Sequence, residues 1–327
     1  MLKTPMDVLT QFPVRKTKKQ KQAFRDAVQA YAESMGYPCT IERRSLSCQN
    51  LILGDPETAK YLVTAHYDTC ARMLTPNRIT PCSLFGFVGC QLFILAVLII
   101  HAFLIGVVSC IILGLLCTFS GDTFTEAMIL SFVFAPVLGL YLGLPISVCL
   151  LYFGPANQHN ANDNTSGVVT LLEIARTMPV NQRHKVCFVL FDMEEIGLIG
   201  SSFYRRQHRK ATNSQIVLNL DCVGDGDHLM MFPTKQLKKN KKKLASLYRA
   251  CGYFGEKSLL LHEKGFSIYP SDQMNFPYGV GICALRKKKK MLYMSRIHTK
   301  KDTVLDETNV NILRAALTTF ICCDEVN

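Results

Sequence analysis

The chain has 327 residues, 49% of them hydrophobic, and 37 basic against 25 acidic side chains give it a net charge of +12. That length suits two domains or one α/β domain interrupted by an insert, and the uneven spread of apolar residues favours the second. The fourteen cysteines include several inside an apolar stretch, which excludes a small disulfide-framed secreted domain and points to a reducing compartment; the basic runs at 15–21, 235–243 and 286–290 lack the interleaved aromatics of a nucleic-acid module.

The first 21 residues are basic without the apolar core of a secretory signal. Residues 18–35 have the period of an amphipathic helix, ended by Gly36-Tyr37-Pro38. Residues 50–53 and 61–65 are predicted strands, the second apolar enough to be covered on both faces. Further on, the pattern predicts a helix over 165–178, buried strands over 185–191 and 215–220, a basic helix over 239–251, a strand over 279–285 and a closing helix over 309–323. Strands alternating with helices imply a three-layer α/β/α sandwich with a mostly parallel mixed sheet.

Between the second and third predicted strands lies an apolar insert. Residues 84–119 carry no charge apart from what His101 can hold, and 127–153 carry none. Each run is long enough for a spanning helix, which needs about 20 apolar residues. Gly121-Asp122-Thr123 and Glu126 interrupt them. Two crossings are the economical count, with four short ones as the alternative. The expected organisation is a discontinuous catalytic domain, 1–80 and 155–327, around a transmembrane hairpin, 81–154. Arg72, Arg78 and the other basic flanks, against an acidic connecting loop, orient the catalytic domain to the cytoplasm, where the basic runs can meet anionic headgroups.

The residues that can carry chemistry flank this insert. His66 and Asp68 stand two apart at the end of a strand, so their side chains share a face. His66 can then ligate a metal while Asp68 accepts its other ring N–H. Asp163, in the run Asn160-Ala161-Asn162-Asp163-Asn164, directly precedes a helix; it suits a helix N-cap or a carboxylate shared by two metals. Glu194 and Glu195 follow a buried strand, where adjacent carboxylates are costly unless paired or metal-bound. Asp221 ends the next strand, and the carboxyl ends of parallel strands are where such sheets place their sites. His298 is either a surface histidine in a basic loop or the last ligand of the series.

The segments TAHYDT, NANDNTSGVVTLLEIAR, VCFVLFDMEEIGLIGS, LNLDCVGDGD, PSDQMNF and RIHTKKDT resemble the co-catalytic zinc aminopeptidase family, which has glutamate carboxypeptidase-like and glutaminyl cyclase-like branches. The resemblance covers essentially all of the chain outside the insert. It implies one zinc held by His66, Asp163 and Asp221 and a second held by Asp163, Glu195 and His298, with Glu194 as general base and Asp68 orienting His66. Cobalt or manganese could occupy such a site. Asn162 stands where relatives often have an acid, and Ser271-Asp272-Gln273 where they often have Ser-Asp-His, so Ser271 and Asp272 are the candidate substrate-binding residues. The insert itself is a departure, since most relatives cross that interval by a short loop. The implied activity is removal of N-terminal residues from peptides. The alternatives are a glutaminyl cyclase-like acyl transfer at one zinc and a non-catalytic membrane scaffold. A carboxypeptidase with a lid domain is disfavoured, because the interval from Asp221 to His298 leaves no room for the lid. The expected partners are a peptide substrate and membrane lipid, and no nucleic acid.

Overall fold

The alternation of faces along each strand decides how the layers form. In the computed structural model, which describes residues 2–45, 47–73, 77–119, 129 and 133–323, strands β1 (Cys39–Arg43), β2 (Gln49–Leu53), β3 (Tyr61–His66), β4 (Val186–Phe191), β5 (Ile216–Leu220), β6 (His228–Pro233), β7 (Gly252–Phe254), β8 (Lys257–Leu261), β9 (Gly279–Lys288) and β10 (Met291–Tyr293) form one sheet. Its order is β1-β2-β4-β3-β5-β9-β6-β8-β7, with β10 paired to β9. The central four strands, β4, β3, β5 and β9, are mutually parallel, and the flanks add antiparallel pairs.

Successive side chains of a strand face opposite ways. Leu51, Leu53, Tyr61, Val63 and Ala65 enter one core with helices α1 (Lys18–Ser34), α4 (Gly167–Thr177) and α6 (Glu307–Cys322). Their neighbours Ile52 and Leu62 enter a second core on the other face, closed by Tyr204 of α5 (Ile199–Gln207). The result is the three-layer mixed sandwich expected from the sequence. At the start of α1, Thr17 and Gln20 form a reciprocal capping box.

Two expectations need adjustment. The basic helix predicted over 239–251 is broken: Lys235–Lys239 and Lys241–Leu247 are separate helices, because the Asn240 side chain accepts from Lys243 N and starts the second one. The strands β1, β6, β7, β8 and β10 have no counterpart among the predicted elements.

The apolar insert forms two helices, α2 (Leu84–Phe119) and α3 (Val133–Phe153), each long and apolar enough to cross a membrane. The 36 residues of α2 are continuous, so the alternative of two short crossings within that run is replaced by one helix about 54 Å long. The predicted acidic loop, Asp122 to Glu126, lies outside the described residues. The helices meet along a stripe of small residues at every fourth position: Ala102, Gly106, Cys110 and Gly114 on α2, and Ala135, Gly139, Gly143 and Ser147 on α3. A side chain on Gly143 would strike the backbone of Ala102. His101, beside this stripe, lies 2.9 Å from the Ser147 hydroxyl.

The hairpin is pinned at both ends. Ala71 bridges to Ala156 and Ile79 to Met294, while Lys16 Nζ donates to the carbonyl of Tyr152 in the last turn of α3.

Candidate metal centre

Three parallel strands and one helix start deliver the site. His66 ends β3, Asp221 follows β5, and Glu194 and Glu195 follow β4 by three and four residues. Asp163 sits in the bend before α4. Close approach there depends on Gly167, where a Cβ would strike the Leu220 carbonyl and the Asn164 side chain. The cap that starts this helix comes from Asn164, whose Oδ1 accepts from Gly167 N at 3.0 Å. The carboxylate of Asp163 is thus left to face the histidines.

It faces both. Asp163 Oδ1 is 3.3 Å from His66 Nε2, and Asp163 Oδ2 is 3.0 Å from His298 Nε2. Asp221 Oδ1 approaches His66 Nε2 at 3.6 Å on one side, and Glu195 Oε2 approaches His298 Nε2 at 3.2 Å on the other. Donor atoms about 2.0–2.2 Å from a tetrahedral zinc lie roughly 3.3–3.6 Å from one another, close to these separations. Asp163, Glu195, Asp221 and the two histidines therefore gather around the two oxygens of one carboxylate, close enough that members of the cluster could hold a metal ion.

Asp68 braces the arrangement. Its carbonyl oxygen lies 3.2 Å and its carboxylate 3.5 Å from His66 Nδ1. The same carboxylate accepts from the backbone N–H groups of Glu194 (3.1 Å) and Glu195 (3.3 Å), so one residue positions the imidazole and the paired glutamates together. Met193, Cys222 and His298 all have left-handed backbone, with φ of 59°, 54° and 60°. Such conformations concentrate where the surroundings over-determine them.

The electrostatics identify what the site suits. Burial pushes Glu195 up to about 8, and burial together with Asp272, Glu195 and Asp221 raises Glu194 well above the usual carboxylate range. Asp163 is held low by hydrogen bonds from His298 and His66 despite its burial. Burial opposes the charged form of His298, yet Glu195 and Asp163 raise it to about 9. Glu195 Oε1 and Asp221 Oδ1 are buried with no hydrogen-bond partner among the described residues. Crowded carboxylates with orphaned oxygens fit divalent cations, and mixed imidazole and carboxylate donors fit zinc.

Of the two predicted substrate-pocket residues, Ser271 is buried behind the site, where its hydroxyl accepts from Asn219 Nδ2 at 3.0 Å. Asp272 is fully buried, with neither carboxylate oxygen in hydrogen-bond geometry. Its burial, against the pull of His66, pushes it up to about 7.

Several neighbours were not foreseen. Asp302 accepts from the N–H groups of Asn162 (2.7 Å) and Asp163 (3.0 Å) and so fixes the Asp163 backbone. Asn162, in place of the acid common in relatives, accepts from Gly224 N at 2.7 Å. Cys70 lies with Glu195 and His298, and Cys222 with Asp163 and Asp221, close enough to count as donors. Arg15 is fully buried and donates to the Tyr67 carbonyl and the Thr165 hydroxyl behind the site. The run RIHTKKDT contains Asp302 four residues after His298, but nothing in its spacing distinguishes a carboxylate that holds backbone from one that ligates.

A profile of peptidase family M28 matches residues 150–320, just over half of the chain. The chain belongs to peptidase family M28. The enzyme class implied by the motifs, a zinc metallopeptidase, is that of its family. Over a stretch of 67 residues it is 40% identical to aminopeptidase YwaD of Bacillus subtilis; that stretch is 20% of this chain and spans 15% of the relative's length. Among solved structures, a Fimbriiglobus ruber glutaminyl cyclase superposes with a TM-score of 0.58 at 17% identity, covering 99% of this chain and 98% of that one. A Zn-dependent exopeptidase from Parabacteroides distasonis gives 0.57 at 16% identity, covering 95% and 92%. At such identities the likeness is one of fold, and both branches named by the sequence share it.

Proposed function

We propose that this M28 protein is a membrane-anchored zinc exopeptidase, an aminopeptidase that removes N-terminal residues from peptides at a two-zinc site. The observation that carries the two-metal reading is the split of Asp163, one oxygen toward His66 and Asp221, the other toward His298 and Glu195. When bound, zinc supplies Lewis-acid polarisation of the scissile carbonyl and lowers the pKa of water. Glu194, held in place through its N–H on Asp68, takes the proton of the attacking water and passes it to the leaving amine.

The membrane assignment rests on the hairpin's packing. Large apolar side chains face outward and small ones inward, as lipid-embedded helices pack. We take residues 1–80 and 155–327 as the catalytic domain and 81–154 as the anchor. Because β9 is parallel to β5, its basic end, continuing through Lys290, projects from the edge of the sheet that carries the metal site and the hairpin root. A basic surface beside the root suits the cytoplasmic leaflet. The catalytic domain is accordingly assigned to the cytoplasm.

Metal analysis of detergent-purified protein, with hydrolysis of a panel of aminoacyl amides, tests the function. Two equivalents of metal and release of the N-terminal residue are expected. Glu194→Gln should keep both metals and lower turnover by about 100-fold or more, whereas Glu195→Gln should weaken metal binding as well. Saturation at one equivalent, with cyclisation of N-terminal glutamine and no amide hydrolysis, would replace this reading by the glutaminyl cyclase-like one. A Glu194→Gln variant of undiminished rate would remove the base assignment.

A further inference from the structure

The root of the hairpin encloses a cavity of about 400 Å³ that is separate from the metal site. Its walls are apolar, Ile94, Val97 and Leu98 from α2 and Leu150 and Leu151 from α3. That volume is at the small end of ligand pockets, room for one slender ligand.

Two polar groups break this lining. At the end nearest the catalytic domain stands Arg72, whose exposed guanidinium has no carboxylate or carbonyl partner among the described residues. Farther along α2 stands His101, about 10 Å up the helix from Ile94. The Ser147 hydroxyl donates its one proton to the Gly143 carbonyl at 2.7 Å, so it accepts from His101 Nδ1. No partner of His101 Nε2 is present among the described residues.

We propose that this cavity binds a single-chain amphiphile with an anionic head, the aliphatic chain lying between α2 and α3 and the head group on Arg72. Charge complementarity selects the head: a cation at the mouth of an apolar slot favours a carboxylate or phosphate, which guanidinium binds in a bidentate fork. The size of the slot selects one chain over two. The inference rests on reading the hairpin as lipid-embedded, because that is what brings acyl chains to it.

The cavity wall is joined to the metal site by one backbone hydrogen bond. The strap Ala71–Met73 lines the cavity through Arg72 and Met73, is bridged to Ala156, and its Met73 N–H donates to the His298 carbonyl at 2.8 Å. His298 itself is in left-handed backbone, so this hydrogen bond ties the cavity wall to a candidate metal ligand.

The test uses the full chain in detergent with a photoreactive palmitate probe, the labelled peptides being mapped by mass spectrometry. Labelling is expected on 94–101 and 147–151, about tenfold stronger than with the matching neutral alcohol. Arg72→Gln should abolish that preference, and Leu98→Trp should block labelling by filling the slot. Leu104→Trp, on the outward face, should leave it unchanged and controls for folding. Competition by a lysophosphatidate and by an N-palmitoyl dipeptide separates a bilayer lipid from an acylated substrate as the source, and displacement by either supports the site. Equal labelling by acid and alcohol, or labelling indifferent to Arg72→Gln and Leu98→Trp, overturns it. Recovery of the protein without detergent would end the membrane reading while leaving the labelling result to decide the cavity on its own.

Discussion

The sheet and the hairpin of this chain are packed inside out relative to each other. In the sandwich, Phe188, Phe191, Tyr61 and Leu62 are fully buried. In the hairpin the buried positions among the described residues are small ones, such as Ala102, Gly106, Cys110, Ala135, Gly139, Gly143 and Ser147, while Phe103 is 48% and Tyr141 72% exposed. Expulsion of apolar surface from water drives the first arrangement. In the bilayer proposed above it would not drive the second, because lipid is as apolar as leucine; there, close approach of helix backbones would hold the pair. In water, such an exposed apolar surface would be an aggregation liability.

The contrast predicts opposite responses to the same kind of substitution. Phe188→Ala should cost about 3–5 kcal/mol of stability in denaturant titrations of the detergent-solubilised protein, as deletion of a buried ring usually does. Phe103→Ala should cost within about 0.5 kcal/mol. Equal costs would mean that the hairpin buries its large residues against something in solution and would break the comparison. A second test inverts the substitution. Gly143→Leu in the hairpin forces the Ala102 backbone away and should cost about 1–3 kcal/mol, with loss of a disulfide engineered between α2 and α3. Retention of that disulfide would show that the small-residue stripe does not set the spacing.

The smallest effect concerns charge, which the sandwich uses and the hairpin lacks. His208 sits 3.0 Å from Glu42 and is paired also with Glu57, which together hold it above its ordinary 6.5 against partial burial. Its contribution is fully present below pH 6.5 and fades as pH rises through the raised value. His208→Gln should therefore lower stability by no more than about 1 kcal/mol at pH 6, because solvent screens the Glu57 half of the pair, and by less at pH 9, where the imidazole loses its proton. A penalty that grew with pH would contradict the assignment.

Legibility in the sequence followed the same division. The strands β3, β4 and β5 were readable because burial on both faces leaves an unbroken apolar run. The edge strands were not. Met291–Tyr293 is three residues long, and β1, CTIER, alternates without a buried face. The candidate donors His66, Asp163, Glu195, Asp221 and His298 were singled out from type and order, with His66 and Asp221 at strand ends, and the structure places all five in one cluster with Glu194 and Asp68. Cys70 and Cys222 were missed because adjacency in sequence to Asp68 and Asp221 does not tell which way a thiol points. Asp302 was missed for a different reason, since its partners are backbone amides that no residue type announces. Arg15, counted with a surface basic run, turned out to be buried behind the site.

The hairpin lies between the two halves of the metal site, and this has a consequence for biosynthesis. His66 and Asp163 are 97 positions apart, an interval that takes about 5–20 s to synthesise. During that time β3 carries its histidine with none of the other donors yet made. If the hairpin inserts with an odd number of crossings, Asp163 emerges on the wrong side of the bilayer and the donors never meet. On the proposed reading, metal loading would then report on topology: only a chain that inserted with an even number of crossings would bring its donors together and retain zinc.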